Sequence, residues 1–155
     1  RERRTLMSTY SSPYTKAEDA VAYALSEFAD SAGLTGYTAY KGGDSGEMSL
    51  TAIVIACELV SPVSPDSKFC TYGTKEHRIA IKAITHSDVS RETNDALVGG
   101  LFAAFVTSAD QMVTVLNAAG VTGFTALNWA FVDAPANYEE QRRETVLNFN
   151  LTAST

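Results

Sequence analysis

Residues 50–60 read LTAIVIACELV and residues 77–85 read HRIAIKAIT. In the first stretch every position from Ala52 to Cys57 is apolar, the pattern of a strand covered on both faces. In the second, Ile79 and Ile81 project to one side and Arg78 and Lys82 to the other, the period-two alternation of a half-buried strand. Between them, Ser61 to Thr74 carries Pro62 and Pro65 and reads as a long loop. The two strands are therefore expected to pair as an antiparallel hairpin with a long tip.

Helical periodicity begins on the N-terminal side of this hairpin. Thr15-Lys16-Ala17-Glu18 has the form of a capping box, in which a threonine oxygen and a glutamate carboxylate satisfy the backbone donors of a helix start. Ala17, Ala20, Val21, Ala24, Leu25, Phe28 and Ala32 then recur at helical spacing, and Gly33 is suited to end the helix. Tyr37 to Tyr40 reads as a short strand and Lys41 to Glu47 as a glycine-rich turn. On the C-terminal side, a second helix starts near Asp88 or Ser90 and carries Leu97, Val98, Leu101, Phe102, Phe105 and Val106. Gly99 and Gly100 inside it each cost on the order of 1 kcal/mol relative to alanine, which implies a kink or the close approach of another backbone.

A third helix is expected from a Ser108 cap, with Gln111 three positions on, to Gly120. Two strands follow. Phe124 to Val132 alternates in such a way that either face can be the buried one. Thr145 to Thr152 sets Leu147, Phe149 and Leu151 against Asn148, Asn150 and Thr152. The intervening Asp133 to Arg143, with Pro135 and dense charge, reads as a solvent-facing loop. Strands grouped apart from helices define an α+β fold, an antiparallel sheet packed against two or three helices. Residues 1–14 are expected to be an extended arm and residues 15–155 a single domain.

At 155 residues, with 45% hydrophobic and 19% charged, the chain is long enough to bury a proper core. Arg1, Arg3 and Arg4 outweigh Glu2 at the start, so the rest of the chain is more acidic than the net charge of -6 indicates. An acidic body argues against a protein that grips phosphate backbones. The first residues lack the apolar stretch of a secretory signal, and no apolar run approaches the ~20 residues of a membrane span. Cys57 and Cys70 are too few for a disulfide framework, which suggests a reducing, cytoplasmic setting.

Catalytic constellations are not legible. His77 and His86 are the only histidines, and no serine lies in a G-x-S-x-G elbow. Cys57, Cys70, His77 and His86 lack the close pairs that pre-form half a zinc site. The loop Lys41-Gly42-Gly43-Asp44-Ser45-Gly46 matches neither phosphate-binding pattern, and Asp44 would repel such a ligand. Glu139-Glu140 lies in a charged turn and reads as a solvated surface, without the burial that an acid/base pair needs. No catalytic residue, metal ligand or cofactor is expected. Open antiparallel sheets do have edges, and edges are natural joints between subunits.

The element order now resembles a known family. A leading amphipathic helix, a long hairpin from Leu50 to Thr85, a helix opening in Ser87-Asp88-Val89-Ser90 and a closing strand pair after Asp133-Ala134-Pro135 are similar to the tail terminator and tail-completion (neck) proteins of long-tailed bacteriophages. The segment from Glu140 to Leu151, an arginine-bearing turn leading into an alternating strand, carries most of the likeness. The resemblance implies a non-enzymatic virion structural protein of the tail or neck, assembled in the host cytoplasm. It implies a homo-oligomeric ring, usually a hexamer, that joins the tail tube protein to the head-side connector or adaptor, with DNA passing through the lumen without specific binding.

Carried onto this sequence, the resemblance points to three contact regions. These are the arm with Arg1, Arg3 and Arg4, the hairpin tip with Pro62, Pro65, Asp66 and Lys68, and the turn with Glu139, Glu140, Arg142 and Arg143. The arm and the third helix depart from the family pattern and leave open a terminator, adaptor or stopper role. A non-viral assembly or adaptor protein is the alternative, and a small metal-dependent enzyme a more distant one.

Overall fold

The computed structural model describes residues 12–42, 51–69, 73–139 and 141–155. In chain order the elements are helix α1 (Pro13–Ala32), strands β1 (Thr38–Lys41), β2 (Thr51–Pro62) and β3 (Thr74–His86), and helix α2 (Arg91–Phe102). A π-helical turn (Ala103–Thr107), helix α3 (Ala109–Ala118) and strands β4 (Thr125–Asp133), β5 (Ala136–Tyr138) and β6 (Arg142–Ser154) follow. This is the α+β fold expected from the sequence, with three α-helices and a six-stranded, mostly antiparallel sheet among the described residues. The arm residues Arg1, Arg3 and Arg4, together with Cys70 and Glu140, lie outside the described residues.

Helix α1 starts two residues before the expected capping box, and the reason is local. Ser12 is the N-cap, its Oγ accepting the Thr15 N–H at 3.2 Å, and Pro13 occupies the first turn, where a missing N–H costs nothing. Glu18 is thereby released from capping. It is 9% exposed, and its Oε2 accepts the Cys57 N–H at 2.9 Å. Strand β1 pairs with β2 only as far as Lys41↔Ile55, after which Gly42 N–H donates to Ile55 O at 3.0 Å. Cys57 N–H is the next donor along that edge and has no strand to meet, so the carboxylate from α1 satisfies it. At the other end Gly33 closes the helix in the left-handed conformation, φ 72°, as expected.

The sheet runs β1-β2-β3-β6-β4, with β1 parallel to β2 and every other pair antiparallel. The β2–β3 hairpin forms as expected, with a bulge between Cys57 and Leu59. Strand β6 pairs with β3 over its whole length, from Thr74↔Ser154 to His86↔Arg142. Each of the three described α-helices contributes to one core against Ile53, Ile55, Ile79, Ile81, Leu147, Phe149 and Leu151. On the opposite face Ala52, Val54, Ala80 and Ile84 are also buried, so the uninterrupted apolar run of β2 does mark burial on both faces.

Two features of the helices follow from crowding. A Cβ on Gly100 would sit 2.6 Å from Leu34 Cδ2 and 2.7 Å from Ala32 O, so the expected close backbone approach is the end of α1. Beyond α2 the π-helical turn leads into α3 through a bend of 84°. Ser108, read as a cap, makes no capping bond; its Oγ donates back to Ala103 O at 3.0 Å. Its backbone, at φ -92° ψ 22°, lacks the extended geometry that aims an N-cap side chain at the helix start. Among the described residues no single helix is long and apolar enough to cross a membrane.

Strand β4 resolves its own ambiguity through two register shifts, at Leu127 and at Val132. Each inserts a residue and flips the alternation, which leaves Ala126 and Trp129 buried while Leu127 and Val132 face solvent. The expected loop from Asp133 to Arg143 is partly strand. Residues Ala136–Tyr138 pair with Thr145, Glu144 and Arg143, and Val146 N–H donates to Pro135 O at 3.0 Å. All three residues of β5 are exposed, so the solvent-facing character holds although the loop assignment does not.

Candidate functional site

The two expected contact regions that fall within the described residues lie at opposite ends of the sheet. Pro62 pairs with Lys75 at one end of β3 and Arg142 pairs with His86 at the other. At about 3.3 Å per residue that separation is roughly 35 Å. At the first end Pro62, Pro65, Asp66 and Lys68 are all exposed, and the Lys68 ammonium stands 5.2 Å over the Phe69 ring. At the second, Glu139 and Arg142 close a tight turn, Glu139 N–H donating to Arg142 O at 2.8 Å.

The neighbouring arginines of that turn have different roles. Arg142 Nη2 meets Glu144 Oε2 at 2.6 Å. Arg143 Nη1 donates to Val89 O at 3.2 Å and has no carboxylate partner among the described residues. It lines a cleft of about 260 Å³ together with Arg91, Asn94, Asp95 and Tyr138. Arg91, Asn94 and Asp95 share a face because residues three and four apart on a helix are neighbours. Asn94 is 3% exposed and accepts the Thr85 hydroxyl through Oδ1 at 2.8 Å. Sequence reading placed Arg143 on the surface but missed Asn94 and Arg91. The i, i+3, i+4 polar face was a visible signal; its closeness to Arg143 depends on the β3–β6 register.

The groups with nucleophilic or metal-binding chemistry are kept apart from one another. Burial, reinforced by the Glu18 charge, pushes the Cys57 thiol up to about 12, which keeps it protonated and inert. His77 is fully buried, with Nδ1 3.2 Å from Leu151 O and its ring edge-on to Phe124. His86 lies at the far end of the same strand. Among the described residues no three histidine, cysteine, aspartate or glutamate side chains gather at metal-binding distance.

The sheet edges are unequal. On β4 and β5, Leu127, Phe131, Val132 and Tyr138 are exposed, Tyr138 at 67%. The edge is nonetheless obstructed. Asn117 of α3 donates to Ala126 O at 3.1 Å and accepts Ala126 N–H at 2.7 Å, and the two bulges break the remaining row of backbone groups. Such an edge is a poor template for another strand, and what it presents to solvent is side chains. Beside β1 a shallow apolar groove of about 310 Å³ runs against α1, lined by Ala22, Leu25, Ala29, Leu34 and Tyr37.

No protein-family model matches the chain, and no curated protein matches it in sequence. Among solved structures it is similar to a chain described as "Virion of native gene transfer agent (GTA) particle". The superposition has a TM-score of 0.61 at 18% identity and covers 94% of this chain and 100% of that one. At that identity the likeness is one of fold.

Proposed function

We propose that this chain is a structural protein of a phage-like virion and that it works by assembling with copies of itself and with adjoining particle components. The observation that carries this is mutual coverage: one fold accounts for nearly all of this chain and all of a chain from a gene transfer agent virion. The element order read from the sequence supports the finer reading of a tail terminator or tail-completion protein, a ring between the tail tube and the head-side connector around passing DNA. Contact regions at both ends of the long β3–β6 ladder suit a subunit that meets one neighbour above and another below. The acidic body suits a channel that makes few lasting phosphate contacts.

The test is direct. Purified protein, alone and mixed with tail tubes, is imaged by negative-stain electron microscopy. Rings of about six copies, or caps on tube ends, are expected from a closed head-to-tail interface. A particle that stays monomeric and leaves the tubes bare would count against the reading.

A further inference from the structure

Arg143, which has no carboxylate partner among the described residues, stands in a cleft beside the donors of Asn94 and Arg91. Asn94 is nine-tenths buried and its orientation is fixed, because Oδ1 holds the Thr85 hydroxyl; the Nδ2 donors have no partner among the described residues. An asparagine amide carries two such donors and an arginine five, so an Nδ2 group open to the cleft beside a guanidinium with one bond made leaves donors free for a ligand. Arg91 reaches Asp95 only at 4.0 Å, with the two side chains 86% and 69% exposed, a pair that solvent screens heavily. The cleft also adjoins the first turn of α2, a helix of 12 residues whose N-terminal end is electropositive.

We propose that this cleft is a socket for a carboxylate, filled by an acidic side chain of a neighbouring protein chain. The inference rests on the assembly reading above and identifies the group through which Arg143 acts in it. Charge favours this occupant, since the chain carries 18 acidic against 12 basic residues and a second copy offers acidic side chains abundantly. Asp95 in the wall disfavours a doubly charged phosphate. A planar carboxylate matches the fork of a guanidinium in two parallel hydrogen bonds. At about 260 Å³ the cleft has room for an acidic side chain and falls just below the usual range for small-molecule sites. Arg142, already neutralised by Glu144, takes no part.

The experiment uses the full chain and two readouts. The side-chain amide signal of Asn94 and the guanidinium signals of Arg143 are followed by NMR during titration with glutarate and, separately, with inorganic phosphate. A saturable shift with glutarate is expected in the wild type and in Arg78→Ala, a distant exposed arginine, at least fivefold weaker in Arg143→Ala and partly restored in Arg143→Lys. Sedimentation in low and high salt is expected to show assembly weakened at least fivefold by Arg143→Ala and unchanged by Arg78→Ala, with all melting curves retained. No saturable shift in the wild type, an undiminished shift in Arg143→Ala, or tighter binding of phosphate than of glutarate overturns the socket. If no variant assembles, the ring reading fails, while the glutarate titration still decides the socket.

Discussion

At the residue scale, His77 shows how burial sets chemistry. Its imidazole is inaccessible, Nδ1–H donates to Leu151 O, and Nε2 has no hydrogen-bond partner among the described residues. Desolvation holds its pKa below the ordinary 6.5, and the Leu151 carbonyl opposes that only in part. The unfolded chain therefore takes up a proton at this site near pH 6.5 while the folded chain does not. The contribution of His77 to stability is complete above that pH and is lost progressively as pH falls below it. Urea unfolding at pH 7.5 and 5.5 is expected to show a smaller acid-induced loss in His77→Phe than in the wild type; equal losses would mean that the ring is protonated in the folded state.

At the element scale, the crossing of α1 and α2 turns on one glycine. Gly100→Ala forces a methyl group into Leu34 and the Ala32 carbonyl and is expected to cost about 1–3 kcal/mol. Gly99→Ala meets nothing within 4 Å and is expected to stabilise by up to about 1 kcal/mol. Thermal melting of the two variants should move in opposite directions. Further along, Phe105 is fully buried against Trp129 and Phe149, and the Trp129 indole donates to its carbonyl at 3.0 Å. Phe105→Ala is expected to destabilise by about 3–5 kcal/mol in chemical denaturation, since the stacked pair Trp129–Phe149 cannot close the hole.

These elements also show what a sequence discloses. The stripe through Leu97, Leu101 and Phe105 was legible because burial imposes a helical period on it; the close approach was legible at Gly100, whereas Gly99 beside it meets nothing, and the two glycines look alike in sequence. Caps were less legible. Ser12 and Thr15 both have capping chemistry, and the choice fell to Pro13. The bulges at Leu127 and Val132 add one residue each without changing composition, so they left the buried face of β4 undecided. Strand β5 shows only exposed residues, and nothing in a periodicity marks a strand that buries neither face. The Arg143 cleft was half legible, because one wall comes from α2 and the other from a turn some fifty residues later.

At the scale of the whole molecule, the last strand of the chain lies inside the sheet. Strand β6 has β3 along its full length on one side and β4 and β5 on the other, and it supplies Leu147, Phe149, Leu151 and Ala153 to the core. Without it, the β2–β3 hairpin and β4 share no ladder, and the stacking surface of Trp129 disappears. The native sheet therefore cannot be completed until residue 154 is available, and such distant pairings carry a loop-closure cost that local helices do not. A chain ending at residue 141 should show no cooperative thermal transition, whereas one lacking residues 1–11 should retain a transition, since Ser12 and Pro13 still start α1. A sigmoidal, native-like melt from the shortened chain would mean that the helices and the β2–β3 hairpin fold as a unit of their own. In that case β6 would be an addition to the core instead of its centre.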